Sequence, residues 1–346
     1  MKRQRATLSG DPSSDGVIHI VLAHRLPGAF HSIEELFGSI SRVFPSWIKC
    51  TQSHAPCTRV TLGTVLGNLR WAASLKGFDI LHQTGDIHYA VLNTRRVDVI
   101  LTIHDLRFIE EAHGLKRLFF WWFWLYLPCL RAKRVTVISE FTKERLLALC
   151  SVDSAKVRVI PNCVSAEFTA ATQAWPEGKP QVLLVGTTPN KNLERVAEVC
   201  RGLELRLEIL GRLSPAQITM LDEFEVEFES HVDLERDDVV SLYQECDIVA
   251  FVSTYEGFGM PILESQAVGR PVLTSNISPM SEVAGDGALK VDPFDTEAIR
   301  EGILRLLGDK DLREDLIEKG FKNVAKYSAE SVAGQYADLY REVLNR

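Results

Sequence analysis

This sequence predicts an α/β protein of two domains, each an open parallel sheet flanked by crossover helices, with a cleft between them. Three observations carry that reading. Short apolar runs alternate with helix-length segments along nearly the whole chain, the pattern of parallel strands joined by helices. The alternation stops once, between Pro161 and Pro180, where Asn162, Ser165, Thr169, Thr172, Pro176 and Gly178 form a linker. The chain also has 346 residues, more than one hydrophobic core usually holds. Open parallel sheets bind ligands beyond the carboxyl ends of their strands, so two in tandem make a cleft there.

Taken in order, residues 1–16 are polar and rich in Ser, Arg and Lys, without a signal-peptide pattern, and are expected to form a disordered tail. The first domain is assigned to 17–165, with strands expected at 17–23, 80–83, 99–103, 135–138 and 157–160. Ser32-Ile33-Glu34-Glu35 resembles a capping box and opens a helix to about Phe44. Helical periodicity returns over 62–75 and 140–150. The second domain is assigned to 166–325, with strands at 182–185, 205–210, 226–229, 248–252, 272–274 and 288–291. The chain is helical from Glu297 and ends in a helix over 328–344, within a terminal segment 326–346.

Composition narrows the function. Hydrophobic residues make up 46% and charged residues 25%, as in soluble globular enzymes. A net charge of −7 leaves no basic excess for nucleic acid. The 7 cysteines are scattered and never form a C-x-x-C pair, which predicts free thiols and a cytoplasmic setting. No uncharged apolar stretch is long enough to span a bilayer. The aromatic run 118–128, between Lys116-Arg117 and Arg131, Lys133 and Arg134, has two readings. Segment 116–134 either makes peripheral contact with the inner face of a membrane or packs as a helix on the sheet. Its all-round apolarity favours the packed helix.

The richest chemistry follows the apolar run 247–252. Tyr255-Glu256-Gly257-Phe258-Gly259-Met260-Pro261-Ile262-Leu263-Glu264 leaves a strand and enters a helix whose first turn holds Pro261. Glycines permit close backbone approach, and a helix start offers free N–H groups to an anion. Glu256 and Glu264 supply carboxylates for hydroxyls. That combination suits a diphosphate joined to a polyol. Lys191, in Gly186-Thr187-Thr188-Pro189-Asn190-Lys191-Asn192-Leu193 after the second domain's first strand, adds a point charge. His104 follows directly on the strand 99–103, at the rim of the first sheet. Thr84-Gly85-Asp86-Ile87-His88 either lines the acceptor side or is a plain turn. No G-x-G-x-x-G follows the first strand, and no phosphate loop, nucleophile elbow or H-E-x-x-H pair occurs. Dispersed histidines predict no protein-bound metal.

The run Tyr255–Glu264, with Ser265-Gln266-Ala267-Val268-Gly269-Arg270-Pro271-Val272 after it, resembles the signature of retaining glycosyltransferases of family 4. The likeness covers most of the chain and implies the GT-B fold of two Rossmann-like domains. By that resemblance Glu256 meets donor-sugar hydroxyls, Glu264 the nucleotide ribose, and the backbone of Phe258, Gly259 and Met260 the phosphate and sugar. Lys191 then binds the diphosphate, and His104 meets the donor sugar and the reacting centre. Catalysis would rest on His104, Glu256 and Lys191. The donor is a nucleoside-diphosphate sugar, the acceptor a glycan or lipid-linked glycan in surface polysaccharide synthesis, and no metal or other cofactor is implied.

The terminal helix is implied to cross back to the first domain. Two rival readings are a sugar-nucleotide epimerase or hydrolase on the same fold and a non-catalytic nucleotide-sugar-binding protein. The sequence departs from the family in three places. Thr187 stands where Arg is frequent. The turn Leu26-Pro27-Gly28-Ala29-Phe30-His31-Ser32 offers Gly28 alone where a glycine pair is common. Asn162-Cys163-Val164-Ser165 lacks the usual Gly and Asp.

Overall fold

The computed structural model describes residues 16–26, 32–57, 60–94, 97–172 and 174–345. Gly28 and all of the predicted tail except Gly16 lie outside the described residues. Six strands, β1 (Ile18–His24), β2 (Ile48–His54), β3 (Ile80–Gln83), β4 (Asp98–Ile103), β5 (Arg134–Val137) and β6 (Val157–Val159), form one sheet in the order β2-β1-β3-β4-β5-β6. Six more, β7 (Gln181–Val185), β8 (Arg206–Leu210), β9 (Glu227–His231), β10 (Ile248–Phe251), β11 (Val272–Ser275) and β12 (Leu289–Val291), form a second in the order β12-β11-β10-β7-β8-β9. The pairings described in both sheets are parallel, so all carboxyl ends of a sheet share one edge. The two-sheet α/β architecture is the one the sequence predicts.

Apolar periodicity located every strand except β2. In Ile48-Lys49-Cys50-Thr51-Gln52-Ser53-His54 only Ile48 is buried. This strand has one neighbour, β1, along its whole length, and shows polar residues to solvent. An edge strand with so little to bury carries no apolar pattern to read.

The helix Ala329–Leu344 follows the second domain in sequence but packs on the first sheet. Val332, Leu339, Tyr340 and Val343 are fully buried with Ile18, Ile20 and Leu22 of β1 and with Phe37 and Ile40 of the Ser32–Arg42 helix. A buried polar chain reinforces the contact. His82 Nδ1 lies 2.8 Å from the Tyr340 hydroxyl, and His82 Nε2 lies 2.7 Å from Thr102 Oγ1, itself 2.6 Å from Thr136 Oγ1. The linker and the return crossing run side by side, where Val164 N–H donates to the Tyr327 carbonyl at 2.9 Å.

The aromatic segment is a continuous helical stretch over 114–131, with π-helical geometry at Phe120–Tyr126. Its inner face packs as the all-round apolarity suggests. Trp124 and Leu125 are buried, and the indoles of Trp121 and Trp124 donate to the carbonyls of Leu149 and Asp86. Its outer face departs from that expectation: Leu115, Leu118, Phe119 and Trp122 are exposed. Among the described residues no helix is long and apolar enough to cross a membrane.

Two outcomes follow for stability. Replacing Tyr340 with Phe removes a hydroxyl from fully buried His82 and costs about 1–2 kcal/mol, measured as a lower urea midpoint. Burial is the main cause holding His24, His82 and His88 at about 4, 3 and 4, against an ordinary 6.5. The unfolded chain therefore takes up these protons first. Their contribution to stability is whole above about 6.5 and is lost on acidification at about 1.4 kcal/mol per pH unit per histidine. The urea midpoint should fall steeply from pH 7 to pH 5.

Candidate functional site

Strands β7 and β10 are neighbours in the second sheet, although β8 and β9 come between them in sequence. The winding reverses there, which makes the loops after β7 and β10 part at a topological switch point. Polar contacts pin the two loops together. Thr254 N–H donates to the Asn190 carbonyl (2.8 Å), and Asn190 Nδ2 donates to the Tyr255 carbonyl (2.9 Å) and to Glu256 Oε1 (3.3 Å). Lys191 Nζ donates to the same Glu256 oxygen at 2.6 Å. Both ionic side chains are about four-fifths buried, at 20% and 16% exposure. Lys191 Nζ also sits 4.7 Å from the centre of the Phe251 ring. Asn192, in the left-handed region with φ of 62°, closes the turn and donates to the carbonyls of Val252 and Pro293.

The helix Met260–Val268 starts beside this pair. Its N-cap is Gly259, with φ of 119°, where a β-carbon would come within 3.2 Å of Ile262 Cδ1. Only glycine meets both conditions. Pro261 occupies the first turn and has no N–H, and the Ile262 N–H donates to the Gly259 carbonyl at 3.1 Å, which leaves Met260 as the first-turn residue whose N–H has no intrahelical acceptor. Phe258 is buried among Phe251, Ile262, Leu263 and Met280, which holds the loop against the sheet. Glu264 projects from the second turn and accepts the Tyr243 hydroxyl proton at 2.6 Å. Burial raises the Glu264 carboxyl, while Tyr243, Arg236 and Lys191 pull it back. Lys191 thus acts on both carboxylates of the motif.

The first domain brings His104 to the same place. Its Nε2–H donates to the Thr84 carbonyl at 2.9 Å, and burial lowers its pKa, against the pull of Asp86 and the Thr84 carbonyl. A β-carbon on Gly257 would lie 3.0 Å from the His104 carbonyl oxygen. The small size of Gly257 therefore serves contact between domains, where the sequence had suggested close approach to a ligand. Ser139 Oγ donates to the Gly257 carbonyl at 3.2 Å. The Tyr255 hydroxyl donates to Glu110 Oε2 at 3.0 Å, and Arg145 Nε donates to Glu110 Oε1 at 2.6 Å. Glu256 thus sits between two residues, Tyr255 and Gly257, that the first domain holds.

Sequence reasoning missed Asn190, Tyr243, Tyr255, Glu110 and Arg145 as members of this network. Tyr255 lies inside the motif and could have been weighed. Glu110 and Arg145 come from separate helices and show no local signal. In Thr84–His88, Asp86 pairs with Arg25 at 2.6 Å, and Thr84 Oγ1 lies 2.8 Å from His24 Nδ1. Thr187 Oγ1 donates to the Arg212 carbonyl, and both residues line a cavity of about 750 Å³ with Pro189, Glu194 and Gln217. A separate cavity of about 490 Å³ lies at the opposite ends of the strands, by Trp175, Arg270 and Arg313.

One group among the described residues has the spacing of metal ligands, Glu208, Glu229 and His231. Arg206 already pairs with both carboxylates, and His231 Nε2 lies 2.6 Å from Glu208.

Residues 15–168 match the family model described as Glycosyltransferase Family 4, and residues 165–323 match the one described as Glycosyl transferases group 1. Over 105 residues the chain is 37% identical to the O-antigen chain mannosyltransferase B of Escherichia coli, covering 30% of this chain and 28% of that protein. Its fold is similar to sucrose-phosphate synthase from Thermosynechococcus elongatus (TM-score 0.73, 16% identity, 96% and 100% of the two chains). It is also similar to Anabaena HepE in complex with UDP and glucose (TM-score 0.71, 13% identity, 94% and 100%). At such identities the structural likeness speaks for the fold.

The interdomain bridge is open to direct measurement. Tyr255→Phe should destabilise by about 1 kcal/mol. Arg145→Ala added to it should cost less than Arg145→Ala alone, because both act through Glu110. Urea titration of the double-mutant cycle reads the coupling.

Proposed function

The chain belongs to the group 1 and family 4 glycosyltransferases and has the GT-B fold, and from that premise we propose that it transfers a sugar from a nucleoside-diphosphate sugar to a glycan or lipid-linked acceptor, keeping the anomeric configuration. The process served is surface polysaccharide synthesis, and the free thiols suit a cytoplasmic enzyme. The observation that carries the reading is the 2.6 Å pair of Lys191 and Glu256 beside the start of the Met260–Val268 helix.

Each element of the pair has a task once donor binds. A diphosphate replaces Glu256 as the counter-charge of Lys191 and accepts from the Met260 N–H at the helix start. Glu256 is released to accept hydrogen bonds from the sugar hydroxyls. Glu264, held by Tyr243, receives the ribose hydroxyls. As the glycosidic bond breaks, negative charge grows on the departing diphosphate, and each aimed donor is worth about 3 kcal/mol there. His104, with Nε2–H on the Thr84 carbonyl, offers Nδ1 to a sugar hydroxyl. Arg212 lines the cavity shared with Thr187 and brings a second cation near the position where the family often has Arg. These fixed charges do the work of a divalent ion, so turnover needs no metal. The leaving phosphate takes the acceptor's proton, since no dedicated base stands in this network. Two rivals on the same fold, an epimerase or hydrolase and a non-catalytic binder, would release nucleotide without an acceptor or release none.

The test is a thermal-shift screen of nucleoside-diphosphate sugars, followed by turnover with and without acceptor. A donor at about 100 times its Kd adds about 2.7 kcal/mol of stability. Lys191→Met should lose most of that stabilisation and about 100-fold in kcat. Glu256→Gln should keep nucleoside-diphosphate binding but lose the added affinity for the sugar. Unaltered donor binding and turnover in Glu264→Gln, or no stabilisation by any nucleoside-diphosphate sugar, would remove the assignment.

A further inference from the structure

We propose that the outer face of the 114–131 helix is a docking surface for an anionic lipid bilayer. Leu115, Leu118, Phe119 and Trp122 are 85%, 59%, 48% and 51% exposed. They fall at spacings i, i+3, i+4 and i+7, so they form one stripe along one helix face. Phe119 stacks on Phe123 of its own helix, and the stripe lies outside the buried clusters, which the inner face of the same helix joins through Trp124 and Leu125. Four large apolar side chains left in water on a single face mark an interaction surface.

Charge selects the occupant. Lys116 and Arg117 are exposed beside the stripe, and neither is in an ion pair among the described residues. The nearby carboxylates already have partners: Glu111 pairs with Arg107 at 2.5 Å, and Glu110 with Arg145. The whole chain carries −7, so this is a local cationic rim on an acidic molecule. Long basic side chains beside an apolar stripe that includes a tryptophan suit the boundary between headgroups and acyl chains. Among the described residues no helix can span a bilayer, so the helix lies on the surface.

Docking has a consequence that rests on the transferase reading. The Trp124 indole donates to the Asp86 carbonyl at 2.5 Å, so this helix backs directly onto the loop after β3, at the carboxyl edge of the first sheet. An enzyme lying on lipid through Leu118 and Trp122 holds that edge close to the headgroups, where a lipid-borne acceptor presents its glycan.

Co-sedimentation of the full chain with vesicles tests the docking without any sugar substrate. Binding is expected to vesicles of phosphatidylcholine and phosphatidylglycerol in equal parts, and little to phosphatidylcholine alone. Removing both Lys116 and Arg117 charges should weaken it about thirty-fold, and added salt should do the same progressively. Leu118→Glu with Trp122→Glu should abolish it, while far-ultraviolet circular dichroism and the thermal midpoint stay unchanged, since both side chains are exposed. The proposal is overturned if anionic vesicles leave the protein in the supernatant, or if the double variant pellets like wild type. A concentration-dependent dimer in light scattering that the double variant dissociates would assign the face to a second copy instead. Intact docking without any sugar transfer would sink the transferase reading alone.

Discussion

A lysine and a glutamate 65 residues apart, held at 2.6 Å and largely shielded from water, organise the second domain's working edge. Taking either charge out of water alone is costly, and removing one partner leaves the other uncompensated. Each charge therefore depends on the other for its place at this edge. The strand order determines where the pair sits. With β7 beside β10, the loops carrying Lys191 and Glu256 lie at the reversal point of the sheet, next to the start of the Met260–Val268 helix. Cation, carboxylate and helix start converge because three neighbouring elements leave the sheet on one edge.

The same loop is shared with the first domain. Tyr255 reaches Glu110 and Arg145, and Gly257 sits against the His104 carbonyl and accepts from Ser139. Apolar contacts join these polar ones, since Ile138 of the first domain is buried with Phe258, Ile262 and Met280 of the second and Phe141 packs against the Tyr255 ring. Glu256 lies between the two anchored residues, so its placement depends on how the domains meet.

The aromatic helix shows how one composition hides two environments. Its apolarity on every side fitted a buried helix, and its inner face is buried. Its outer stripe is not. A residue pattern reports which positions avoid water, and a protein core and a lipid surface both satisfy that preference.

Local pattern alone was enough for the two-sheet architecture, nearly all the strands, the linker and the strand-to-helix motif around Glu256 and Glu264. Each depends on periodicity or on a residue's backbone preference within a few positions, as Gly259 does at φ 119°. The edge strand β2 escaped because it buries almost nothing. Tertiary structure alone decided that Lys191 meets Glu256, that Tyr243 holds Glu264, that His104 spends its Nε2–H on Thr84, and that Glu110 and Arg145 reach the motif loop. Those partners are brought together by strand order and domain packing across tens of residues, and side-chain chemistry along a chain carries no record of such distances.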